Sequence, residues 1–200
     1  MNRKNLLQIV ILGLVAPMLA SCLGGLLEPK SDPTVFYMMR PIAPVEKISI
    51  KEKVTLNLMP INAPSYMSRN QIVTLDANAS VKLSEFDRWA ESTQSGFTRV
   101  IVENIAELSD NIDVYAYPTV SPDALNLKIF IYDCIGTLGG DLVFKGKWQL
   151  DSISTDRHTA KDFSLKIPCG STYASYVQAI NKCLEMLSVD IVKSISEQYK

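Results

Sequence analysis

The chain has 200 residues, 47% of them apolar and 20% charged, with 20 Lys and Arg set against 21 Asp and Glu. That composition belongs to an ordinary folded protein and not to a disordered one, and the length suits one domain. The slightly acidic balance, with no block of Lys or Arg, excludes the basic footprint of a nucleic-acid partner.

The first segment reads as an address. Arg3 and Lys4 precede an apolar run from Leu6 to Leu19, broken only by Gln8, Gly13, Ala16 and Pro17. The run is too short for the ~20 apolar residues of a spanning helix. It ends in Leu19-Ala20-Ser21-Cys22, and this coincidence of charge, length, small residues and cysteine resembles the lipobox of bacterial lipoproteins. The resemblance implies cleavage after residue 21 and a diacylglycerol on Cys22, with no separate cofactor. The alternative is an ordinary secretory signal with a chance cysteine. A single acyl chain holds only marginally, at about 0.8 kcal/mol per buried CH₂, so several chains are needed for a lasting anchor. Leu23, where an Asp would retain the protein at the inner membrane, points by sorting analogy to the periplasmic face of a Gram-negative outer membrane. Residues 22–33 then form a lipidated tether, of which the eleven from Leu23 reach at most about 40 Å. A single domain is expected over 34–200.

Along that domain, "TVFYMMR" (34–40) and a segment within Ile48–Met59 read as strands, and "PINAPSYMSRN" (60–70) as a loop. "QIVTLD" and "SVKLSEF" suggest a hairpin. Phe97, Val100, Ile101, Ile105 and Leu108 recur at helical spacing between Ser95 and Leu108. "IDVYAYP" (112–118) and "LNLKIFIYDCI" (125–135) are strand-like. Gly139 and Gly140 mark a tight turn, since glycine takes positive φ without a Cβ penalty. Leu142, Phe144, Trp148 and Leu150 then alternate with Lys145, Lys147, Gln149 and Asp151, a strand with one wet face. A further alternating strand covers 159–167. Val177, Ile180, Leu184, Leu187, Ile191 and Ile195 mark a long amphipathic helix. The order predicts an α+β two-layer sandwich, with two helices on one face of an antiparallel-rich mixed sheet.

Catalytic and metal motifs are missing from this pattern. Cys134, Cys169 and Cys183 form no C-x-x-C, and His158 stands alone in "STDRHT", so no zinc site is expected. The three thiols are read as structural, either buried or with one disulfide such as Cys169–Cys183. "GTLGGD" lacks the lysine and spacing of a phosphate-binding loop. The charged stretch "VKLSEFDRWAE" (81–91) reads as the start of a helix, with Ser84 as its cap and Asp87 three residues on in a variant capping box. Glu85 and Asp87 would then not face each other, while Asp87 and Glu91 would, with Arg88 between them. Nothing local would raise a carboxyl pKa as a general acid requires. A non-enzyme is the expectation.

Three blocks in this order resemble the PqiC-type auxiliary lipoproteins of ABC transport systems, whose pattern runs P-x-Y-L-D-R-P-Q-I-V, L-x-E-F-x-R-W-A-E and G-G-x-x-x-x-x-x-W. Pro64, Tyr66, Arg69, Gln71, Ile72 and Val73 match the first. Leu83, Glu85, Phe86, Arg88, Trp89, Ala90 and Glu91 match the second, and Gly139, Gly140 and Trp148 the third. The resemblance spans most of residues 33–197. Met67, Ser68 and Asn70 depart from the family's Leu, Asp and Pro, and Ser92-Thr93 from its Pro-Leu. The resemblance implies a non-enzymatic outer-membrane lipoprotein that works with an MCE-domain periplasmic protein forming a lipid conduit. It admits a homo-oligomer, since a ring would match a symmetric tunnel. Candidate partner contacts are Tyr66, Arg69, Gln71, Glu85, Arg88, Trp89 and Glu91, rich in the Tyr, Trp and Arg that dominate interface hot spots. Local packing is the competing role for these residues. A structural lipoprotein of another envelope complex and a periplasmic hydrolase are the alternative functions.

Overall fold

The computed structural model describes residues 32–44, 46–76, 78–152 and 158–199. The lipobox-like segment, Cys22 and most of the tether lie outside the described residues. Eight strands and two helices follow in order: β1 (Val35–Tyr37), β2 (Val54–Leu58), β3 (Gln71–Leu75), β4 (Val81–Trp89), α1 (Thr93–Leu108), β5 (Ile112–Ala116), β6 (Leu125–Gly136), β7 (Asp141–Asp151), β8 (His158–Pro168) and α2 (Tyr173–Gln198). A short 3₁₀ turn at Ser65–Ser68 precedes β3.

The architecture is an α+β sandwich whose strands are shared between two mixed sheets. The larger sheet runs β5-β2-β6-β7-β8 and the smaller β1-β4-β3. In the larger, β6, β7 and β8 form an antiparallel meander, while β2 lies parallel to both β5 and β6. In β7 the period-two pattern is obeyed along the whole strand, with Leu142, Phe144, Trp148 and Leu150 all buried. One bulge interrupts the meander. Ile131 opposes Gly146 and Asp133 opposes Lys145, so Tyr132 is an extra residue turned to solvent. Gly146 is required there, because a Cβ would fall 2.1 Å from the Phe130 carbonyl oxygen. Gly139 takes φ +75° in the β6–β7 turn, as its sequence context predicts.

Both helices cover one face of β7. Phe97 of α1 meets Phe144 edge-on with ring centroids 6.1 Å apart, and the Trp148 indole N–H donates to Asp190 Oδ2 of α2 at 3.0 Å. The helices begin where their caps allow. The Ser92 hydroxyl accepts the Ser95 N–H for α1, and Thr172 and Ser175 form a reciprocal capping box for α2. The apolar stripes at helical spacing are the buried faces of both helices.

Residues 84–91 do not form a helix. Leu83 pairs with Val73 and Arg88 with Gln71 across the β3–β4 hairpin. The four residues Ser84–Asp87 therefore stand opposite Ile72 alone, as a wide bulge. The Ser84 hydroxyl accepts the Asp87 N–H at 2.9 Å and donates to Asp87 Oδ2 at 2.8 Å. One of the two bonds expected of a capping box is thus made, from the Asp87 N–H to the Ser84 hydroxyl, but it closes a bulge. A cap specifies one turn of local bonding; propagation needs a helix long enough to repay its nucleation. Here Asp87, Arg88 and Trp89 pair instead with Val35, Phe36 and Tyr37 of β1.

Candidate docking surface

The loop before β3 is folded down onto β4 and β6. Tyr66 is its pin: the phenol donates to Asp133 Oδ1 at 2.8 Å and accepts the Cys134 N–H at 2.8 Å. Burial, and then the neighbouring Asp133, push this phenol well above its ordinary pKa, so it stays a neutral donor. Met67 is buried beside it, and its carbonyl accepts the Thr93 hydroxyl. The Trp89 N–H donates to the Asn70 carbonyl at 2.7 Å. Its indole is half-buried over a pocket of about 20 Å³ shared with Tyr66, Phe97, Cys134 and Tyr176, room for about one water.

The carboxylates of the stretch are held separately. Glu91 forms an ion pair with Arg99 of α1 at 2.5 Å, and Arg99 also donates to the Met39 carbonyl at 2.8 Å. Glu91 therefore pairs with Arg99 and not with Arg88 three residues upstream. Asp87 accepts from the Tyr37 hydroxyl at 2.9 Å in addition to Ser84. Glu85 is exposed, as is Arg69. Gln71, Arg88 and Phe36 form one cross-strand row through β3, β4 and β1. Of the seven predicted contact residues, Tyr66, Trp89 and Glu91 thus hold the loop and strand together. Arg69 and Glu85 are exposed and Arg88 is half-buried, while Gln71 lines the same small pocket as Tyr66 and Trp89.

Two carboxylates elsewhere are shifted downward. Asp76 is held below the usual carboxylate range by the Ser80 and Asn78 backbone N–H groups. Asp151 is lowered by Lys128 at 2.8 Å and by His158 at 2.5 Å. A general acid needs the opposite shift. Cys134, Cys169 and Cys183 are free and buried. Burial raises all three thiols, Cys183 up to about 12, so a reactive thiolate is suppressed. Among the described residues no three His, Cys, Asp or Glu side chains are grouped to hold a metal.

Sequence reasoning missed two surface features. A groove of about 510 Å³ runs between β8 and α2, lined by Phe163, Leu165, Met186 and Val189 with Lys161 and Lys193 at its rim. A second of about 650 Å³ lies beside α1, lined by Leu58, Pro60, Val102 and Tyr117. The alternation of Phe163 and Leu165 was the available signal for the first. The exposed apolar residues of β1 and β4 were the third omission: Val35, Phe36, Met38, Val81, Leu83 and Phe86 are all in contact with solvent.

No helix among the described residues is long and apolar enough to cross a membrane. Two solved structures share the fold. The crystal structure of an uncharacterized protein superposes with a TM-score of 0.70 at 16% identity, over 82% of this chain and 99% of its own. Protein XCC0632 from Xanthomonas campestris, a DUF330 protein, superposes with a TM-score of 0.62 at 15% identity, over 79% and 92%. A search among curated proteins finds no match. Residues 37–192, which include the pinned loop, the bulged strand and the buried Trp148, match the family described as "ABC-type transport auxiliary lipoprotein component". The chain belongs to that family of transport auxiliary lipoproteins.

Proposed function

We propose that this lipoprotein is a non-enzymatic accessory of an ABC-type lipid-transport system, held at the periplasmic face of the outer membrane by acyl chains on Cys22. There it docks the end of a conduit built by an MCE-domain partner. The observation that carries the non-enzymatic reading is the internal commitment of its polar cluster. Tyr66, Asp87 and Glu91 each bond to a neighbouring element, the first to Asp133, the second to Tyr37 and the third to Arg99. Such a cluster fixes the shape of a surface and leaves no poised acid, base or nucleophile. Arg69 and Glu85, exposed on either side of it, are the proposed protein contacts. A ring of copies is part of the proposal, because several anchored copies around one conduit add avidity without new contacts.

The test is in-cell photocrosslinking from positions 69 and 85, followed by identification of the adducts. An MCE or transporter subunit crosslinked from either position is the expected result. Recovery of neither subunit, with the protein at normal abundance, overturns the docking role.

A further inference from the structure

Six of the eleven large apolar side chains exposed among the described residues lie on β1, β4 and the residue after β1. Scattered singly they would need no explanation; gathered on one small sheet they mark a contact surface. Their arrangement follows from the register. Tyr37 pairs with Trp89, and both pack inward against the core. Phe36 pairs with Arg88 and so projects outward. Phe86 stands on the Ser84–Asp87 bulge, two residues before Arg88, and is likewise turned to solvent. Phe36 is 63% exposed and Phe86 41%, with Arg88 between them. Among the described residues no ion pair to Arg88 is formed. Two phenyl rings flanking an unpaired guanidinium match the boundary of a phospholipid bilayer, with apolar rings for the acyl region and a fork of donors for headgroup phosphate.

The place in the chain selects this occupant. Val35 follows Cys22 by thirteen residues, at most about 45 Å of extended chain. β1 is also the open edge of its sheet, since the far edge strand, β3, is bridged from Leu75 to Thr137. We infer that the outer side of β1 and β4, centred on Phe36, Arg88 and Phe86, is a membrane-contact face that lays the domain on the bilayer to which its tether is fixed. This rests on the acyl anchor at Cys22. It assigns Arg88 to lipid phosphate and leaves Arg69 and Glu85 as the protein contacts.

The test uses the full acylated protein on vesicles of phosphatidylethanolamine and phosphatidylglycerol. Phe36→Cys, Phe86→Cys and, as control on the solvent-exposed bulge, Tyr132→Cys are labelled with a polarity-sensitive fluorophore; the buried native thiols stay unlabelled in the folded protein. Brominated acyl chains are expected to lower emission about two-fold or more at 36 and 86, the depth of an interfacial contact, and to leave 132 unchanged. Vesicle flotation with no quenching at 36 and 86 beyond that at 132 overturns the membrane face while the anchor stands. Shielding of 36 and 86 that appears in detergent and grows with protein concentration assigns the face to a second copy, and also overturns it. Failure of the protein to float removes the anchor, and this inference with it.

Discussion

The meander β6-β7-β8 and the small sheet β1-β4-β3 are built from equally β-prone residues, yet only the first is written plainly in the chain. In the meander each strand pairs with its sequence neighbour, and in β6 and β7 buried residues alternate along one face. Period-two patterning and a glycine turn are then sufficient instructions. In the small sheet, β4 takes one partner from its own hairpin and the other from a strand some fifty residues earlier, Tyr37 opposite Trp89. It buries neither face completely, and a four-residue bulge breaks its register. Where pairing is non-local, local signals mislead.

The sharpest way to break the comparison is in the meander's core. Trp148 is fully buried and its N–H satisfies Asp190, which also pairs with Lys161. Trp148→Ala is expected to cost about 3–5 kcal/mol, the price of a large aromatic cavity, as a lowered urea midpoint. Phe36→Ala, on the exposed edge strand of the small sheet, is expected to stay within about 0.5 kcal/mol. Equal losses from the two would show that the small sheet carries as much of the stability as the meander.

These two residues also mark how far the sequence could be read. Trp148 was legible as core because Leu142, Phe144 and Leu150 repeat its phase. Tyr66 and Trp89 were legible as important from the resemblance alone, and their inward role was not, because Asp133, Cys134 and Asn70 reach them only through the fold. Neither the strand reading at Phe36 nor the family match at Phe86 told that the ring is exposed: an exposed phenylalanine in a strand looks the same in sequence as a buried one.

A second difference concerns pH. Cys183 lies on the buried face of α2, with its thiol raised to about 12 by burial. In the unfolded chain a thiol ionises near about 8.5, so the unfolded state loses its proton first as pH rises. The folded-state pKa being the higher, the stabilisation is complete below about 8.5 and is lost progressively toward 12. By pH 10 this one group should cost about 2 kcal/mol. Cys183→Ala should flatten that alkaline slope, read from urea midpoints at pH 7 and 10, even though it loosens the core at both.

The Ser84–Asp87 exchange tests whether a bulge is held as firmly as a helix start. Ser84 is buried, and Ser84→Ala would leave the Asp87 N–H without its acceptor. The expected loss is about 1–2 kcal/mol. Ser92→Ala, at the true cap of α1, should lose about 1 kcal/mol. A negligible effect at 84 beside a normal one at 92 would mean that strand pairing with β1 alone sets the bulge.

The helix that shields the meander contains one polar misfit. Asn104 of α1 is buried at 2% exposure, and neither its Oδ1 nor its Nδ2 has a partner among the described residues. It sits one turn from Val100 and Leu108 on the stripe that made the helix predictable. An unsatisfied amide in such a place costs more than it returns, so Asn104→Leu should stabilise the protein by about 1 kcal/mol. A loss of that size instead would reveal a hydrogen-bonded water or partner that the apolar side chain displaces.

The smallest expected effect bears most directly on function. Glu85 is exposed on the bulge, and a hydrolase reading would make it or Asp87 the acid of a catalytic pair. Asp87 already accepts from Tyr37 and Ser84, and Glu85 is exposed on the bulge. Glu85→Gln should leave stability within about 0.5 kcal/mol and abolish no turnover in any hydrolase assay. What it should change is the crosslinking yield to the conduit partner from position 69, because a carboxylate at the rim of an interface steers its partner by charge and an amide does not. Full activity of a hydrolase in the native protein and none in Glu85→Gln would put an enzyme where this fold has been read as a dock.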